Sequence, residues 1–257
     1  MDSYFKSLEK LAERYRSAEA EVVTAYFTKP RTKRNHIRWL KAQAFKEYSA
    51  IKPLLEMLMK LYPYLDKGMD RHEYEEIGEK LVEETKHARL IMDLLEEMRG
   101  RKLTPKELPW LPEDKRLAKI RARYSKTYAG LLHGSEAITQ REIKRKDEYI
   151  ERAAITLTEG GGGALYEVCS RLKGGEVERK IASAFKAIHL DEVKHKNAGG
   201  RILAKLVRTK KDYERAAEII QRVSSQRLRM RNEQFGFPLT ERKLQEIERD
   251  HAIMKAR

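Results

Sequence analysis

Two short stretches carry residues whose types and spacing could do chemistry: Glu84-Thr85-Lys86-His87 and Glu192-Val193-Lys194-His195. Each sets a carboxylate three residues before an imidazole, which brings both to one face of an α-helix. Oxygen and nitrogen donors on one face suit a divalent first-row metal. Upstream of each pair another Glu interrupts an apolar helical stripe, Glu47 before the first and Glu159 before the second. Two helices with Glu-x-x-His, joined by one Glu from each of two further helices, compose the ligand set of a two-metal carboxylate centre inside a four-helix bundle.

Chance is the first competitor. With 31 Glu and 7 His in 257 residues, about one Glu-x-x-His pair arises at random. A third pair does occur, Glu248-Arg249-Asp250-His251. There His251 shares a stripe with Leu244, Ile247 and Met254, while Glu248 lies at its flank without a matching helix, so the pair is set aside as a decoy. In the other two, Glu replaces an apolar residue where an uncompensated carboxylate costs several kcal/mol. Interhelical salt bridges would meet that cost, as would a metal. The stripes bring no Lys or Arg beside the acids, which favours the metal.

The elements that must position these residues follow from periodicity and breakers. An N-terminal helix spans about 2–28 (Phe5, Leu8, Leu11, Tyr15, Ala18, Val22, Tyr26) and stops near Pro30. Helix A, about 35–62, carries Leu40, Ala44, Glu47, Ile51, Leu54 and Leu58, with a kink expected at Pro53. Glu56 is a rival to Glu47 as its ligand, but Glu56 has Lys52, Lys60 and Pro63 for neighbours, a polar face. After a turn between Pro63 and Gly68, helix B runs over about 70–98 with Ile77, Leu81, Glu84, Ala88, Ile91 and Leu95, and Gly100 ends it. Residues 113–148 read as one or two surface helices forming a long passage. Helices C (147–172) and D (176–207) follow, parted by Gly174-Gly175. Two further helices, 211–231 and 239–256, read as an appended tail. The division expected is 1–34, an N-terminal helix and basic connector; 35–207, the bundle; and 208–257, a basic helical extension.

Composition bounds the class. Charged residues are 37% of the chain, while Gly and Pro number 14 and 7, which favours long polar-faced helices over a turn-rich β fold. No stretch approaches the ~20 apolar residues of a membrane span. The first residues are unlike a signal peptide. The one cysteine, Cys169, excludes an internal disulfide framework and cysteine-held zinc or iron–sulfur centres. A soluble cytoplasmic protein is expected. The net charge of +15 fits nucleic acid or acidic ligands. It fits equally a thermophile's surface rich in Lys, Arg and Glu.

The arrangement Glu47 … Glu84-x-x-His87 … Glu159 … Glu192-x-x-His195, over about 35–206, resembles the ferritin-like di-iron carboxylate superfamily. Asp191-Glu192-Val193-Lys194-His195-Lys196-Asn197-Ala198-Gly199 also resembles the fourth helix of aldehyde-deformylating oxygenases. The resemblance implies an all-α, ferritin-like four-helix bundle with a long B–C crossover, plus extra N- and C-terminal helices. It implies two Fe ions, with a Mn/Fe pair as the alternative. Glu84 and Glu192 would bridge the metals, Glu47 and Glu159 would bind terminally, and His87 and His195 would each cap one ion. Metal-bound imidazoles usually give their other N–H to a carboxylate. Asp191 is therefore expected to accept from His87, and Glu83 from His195.

The implied activity is O2-dependent oxidation or hydroxylation of a small organic substrate, with an external electron donor and a homodimer as one possible assembly. Gly160, Gly161, Gly162 and Gly163 bear on the substrate, since four mid-helix glycines forfeit ~4 kcal/mol relative to alanine. One account is that they leave a cavity for substrate or let helix C unwind or widen. Close helix packing or a simple break is the plainer account. Tyr166, one turn on, would line that pocket, serve electron transfer, or pack in the core. A ferroxidase or peroxide-scavenging ferritin-like protein is a second reading, although the single Cys169 excludes a built-in rubredoxin module. A third is an RNA-binding helical protein, or a tRNA-modifying di-iron hydroxylase, using Arg31-Lys33-Arg34-Arg38 and Arg222-Arg227-Arg229-Arg231.

Overall fold

A computed structural model describes residues 3–68, 71–133 and 146–250. Among the described residues there are eight α-helices, two 3-10 segments and no strand. In order they are α1 (Ser3–Phe27), α2 (Lys33–Leu61), α3 (Arg71–Arg99), α4 (Pro112–His133), α5 (Lys146–Ser170), α6 (Glu176–Leu206), α7 (Lys210–Gln234) and α8 (Glu241–Asp250). Among these residues no helix is long and apolar enough to cross a membrane.

The breakers read from sequence end the elements. A 3-10 segment, Tyr62–Lys67, closes on Gly68 in the left-handed region (φ 86°). Gly100 (φ 69°) stops α3 while its N–H returns to Glu96 O at 2.8 Å. The loop after it is pinned by Glu107, which accepts from Arg101, Arg99 and the Thr104 N–H. The Arg101 hydrogen bond, followed by that of the Thr104 amide, holds the Glu107 carboxyl down to about 2. A capping box opens α7, with Asp212 N–H donating to Thr209 Oγ1 and Thr209 N–H to Asp212 Oδ2. Pro53 does not end α2, which stays helical to Leu61.

Cα proximity divides the chain into two compact units. One comprises Met1–Thr32, Leu111–Ser125 and Asp147–Arg257, the other Lys33–Trp110 and Lys126–Lys146.

In the first unit α1 lies along α7. Leu8, Tyr15, Ile150, Leu203, Ala216, Ile220 and Val223 are buried in one cluster. Helices α1 and α7 therefore build this core rather than trail from a bundle. The passage after α3 is likewise more than surface, because Leu117 and Tyr124 of α4 are buried in the same cluster. Burying α7 also buries charge. Glu19 and Arg231 are each 1% exposed, with Arg231 Nε 3.3 Å from Glu19 Oε2. Arg227 Nε lies 4.0 Å from Glu19 Oε1. Arg222 pairs with Glu218, and Arg229 with Glu241 and Glu248. The C-terminal arginine cluster is thus engaged within its own unit.

The glycine run does not break α5, which keeps α-helical backbone from Lys146 to Ser170. A Cβ added at Gly163 would meet nothing within 4 Å. Gly163→Ala is therefore expected to stabilise the protein by ~1 kcal/mol, read as a higher denaturant midpoint. Destabilisation would mean that the open space at this position is only apparent.

In the second unit α2 packs along α3. Leu61 and Ile77 are buried there, with Leu54, Met57, Leu58, Tyr64 and Tyr74 against them.

Candidate metal centre

The α2–α3 pair brings together the residues that the spacing singled out. On α2, the stripe that buries Leu40 and Ala44 reaches Glu47 one turn later, and Glu47 is 4% exposed. On α3, the stripe from Ile77 to Ala88, Ile91 and Leu95 carries half-buried Glu84 and fully buried His87. One ligand atom from each of Glu47, Glu84 and His87 lies within 4.8 Å of the others.

These three residues could hold one ion. Metal–ligand bonds of about 2.1 Å put two donors on one ion between about 3.0 Å apart at right angles and about 4.2 Å apart on opposite sides. His87 Nδ1 lies 3.8 Å from Glu47 Oε2, inside that range and beyond a hydrogen bond. Two carboxylates and one imidazole suit Fe, Mn or Zn.

Glu56, the rival on α2, is exposed and 3.6 Å from Lys52. Burial decides between the two acids.

Gln43 was not read from the sequence as part of this site. It is 1% exposed, and its Nε2 donates to Glu47 Oε1 at 2.5 Å. That bond turns Oε2 toward His87. The only signal was its place one turn before Glu47. Gln43→Leu, of similar size, should weaken metal binding about 10- to 100-fold while leaving the fold intact. Unchanged affinity by calorimetric titration would reduce Gln43 to packing.

The other expected ligands lie in the first unit. On α6, Ile181, Phe185 and Ile188 are fully buried, and half-buried Glu192 continues their stripe. Asp191 is 8% exposed, and Glu83 on α3 is half-buried. The side chains of Glu159, Gly160, Gly161, Gly162 and His195 lie outside those described. So does His251, and its partner Glu248 is engaged with Arg229 at 2.9 Å. Tyr166 is buried with its ring 5.8 Å from that of Phe185, an inter-helix packing contact. A groove of about 550 Å³ in the first unit is lined by Tyr15, Ser225, Arg229 and Glu248 among others and, among the described residues, by none of the expected ligands.

Comparison of the chain with protein-family models, curated proteins and solved structures finds no match. What stands is an all-helical chain whose Glu47, Glu84 and His87 form a carboxylate–imidazole group able to hold a metal ion.

Proposed function

We propose that the protein is a ferritin-like di-iron (or Mn/Fe) carboxylate oxidase or oxygenase acting on a small organic substrate. The observation that carries this reading is the convergence of buried Glu47 and His87 with half-buried Glu84, from two stripes otherwise built of apolar residues. Half of the six-residue set expected from sequence thus forms a group that could hold a metal ion. On this reading Glu159, Glu192 and His195 supply the matching set.

A redox-active metal pair, when bound, would supply electrons for reducing O2 as the organic molecule is oxidised. The chain's own residues would do the rest. Glu47, Glu84 and His87 would give two oxygens and one nitrogen, and Gln43 would orient Glu47. Burial of His87 and Glu47 would keep bulk water from the donors.

The test is elemental analysis of protein purified without added metal, followed by anaerobic Fe(II) titration, with Glu84→Ala as control. Two ions per chain, reduced in the variant, and reductant-dependent O2 uptake support the proposal. One ion per chain leaves a mononuclear site at Glu47, Glu84 and His87. No binding ends the oxygenase reading.

A further inference from the structure

The exposed apolar residues of α2 and the turn after it are ordered about one position. Tyr48, Leu55, Met59 and Tyr62 are 45%, 47%, 75% and 66% exposed. Tyr48 and Tyr62 lie equally far before and after Leu55, two helical turns away in each direction. Half-buried Ile51 and exposed Met59 lie equally far too, one turn away. At about 100° per residue all five fall within about 40° of Leu55 around the axis, a stripe roughly 21 Å long. It is not the face that meets α3, which uses Leu54, Leu58 and Leu61.

A stripe whose apolar positions are spaced alike in both directions is complementary to itself. If a second copy is turned end over end about a two-fold axis at Leu55, Tyr48 meets Tyr62 of that copy. Ile51 then meets Met59, and Leu55 meets its equivalent. The flanking charges obey the same symmetry. Lys52 and Glu56, with side chains 83% and 53% exposed, lie on one side of the stripe. A two-fold brings like flanks together, so each Lys52 approaches the other copy's Glu56 with an axial offset of about 3 Å. Within one chain the pair stands at 3.6 Å in water, an interaction of little strength that is readily exchanged.

From this self-complementarity we infer that the protein is an isologous dimer, joined antiparallel through α2 around Leu55. A second copy explains the paired positions and the paired charges together. A chance surface patch or an unrelated partner explains neither. The inference does not depend on the metal centre.

Sedimentation equilibrium on the full chain tests it. The expected mass is twice 30.1 kDa. Leu55→Lys places two ammonium groups on the axis and should raise the dimer dissociation constant at least ~100-fold, with the helical circular dichroism unchanged. Lys52→Glu should weaken the dimer by repulsion, and Lys52→Glu with Glu56→Lys should restore it. Leu55→Cys should cross-link to itself under mild oxidation, because the native Cys169 is buried. A monomer at about 100 μM, a dimer indifferent to Leu55→Lys, or a charge swap that rescues nothing would overturn the proposal.

Discussion

His87→Ala is expected to lower affinity for Fe(II), Mn(II) or Zn(II) by at least ~100-fold at the site it shares with Glu47 and Glu84. Its imidazole is the single nitrogen donor in the group and is fully buried. Water entering the void could replace a ligand atom, but not the fixed position given by a side chain packed on α3. The metal-free protein provides an internal control. There the variant loses packing and the neighbour of Glu47, a change of ~1–3 kcal/mol that urea titration reads separately. His87→Gln, which keeps a polar side chain, separates donor chemistry from volume. Affinity within about threefold of wild type in both variants would sink the metal assignment, since a true ligand cannot be lost at so small a cost.

Glu19→Ala should destabilise the protein by ~3–5 kcal/mol, the largest stability effect anticipated for a single substitution here. Glu19 lies between Arg231, at 3.3 Å, and Arg227, at 4.0 Å. Each guanidinium keeps a neutral partner, Gln234 for Arg231 and Thr158 for Arg227. Neutral dipoles hold the geometry but leave two positive charges without their shared carboxylate. In a protein of this size the loss corresponds to a fall in melting temperature of about 10 °C. Replacing the carboxylate and one cation together, Glu19→Leu with Arg231→Met, should recover part of it, because Arg231 leaves low dielectric with the acid while Arg227 stays there without the carboxylate. A single-variant loss below about 1 kcal/mol would show that water reaches the cluster.

Glu47 and Glu19 show how differently two buried acids can be read. Glu47 stands in the stripe of α2, where its neighbours Leu40, Ala44 and Ile51 announce burial and expose the acid as out of place. Glu19 sits between Ala18 and Ala20, beside its stripe, and its partner is 212 residues away. Sequence spacing reports the face of a helix and not what that face will meet.

Helix limits were legible for the same local reason. The expected spans 2–28, 35–62, 70–98 and 176–207 stand against Ser3–Phe27, Lys33–Leu61, Arg71–Arg99 and Glu176–Leu206. Backbone hydrogen bonds four residues apart, and stop residues such as Gly68 and Gly100, act within a few positions. The all-helical class and the candidate donors Glu47, Glu84 and His87 were determined by the chain's own spacing.

Tertiary structure decided what spacing could not. It placed α1 against α7, so that the first helix and α7 became core. It carried α5 through its glycines as a helix and used Tyr166 as packing against Phe185. It chose Glu47 over Glu56 and set Gln43 behind the chosen acid. Each of these outcomes depends on which surfaces leave water together. That is a property of distant segments meeting, because the free energy of a charge or an apolar group changes with its partner as well as with its place on a helix.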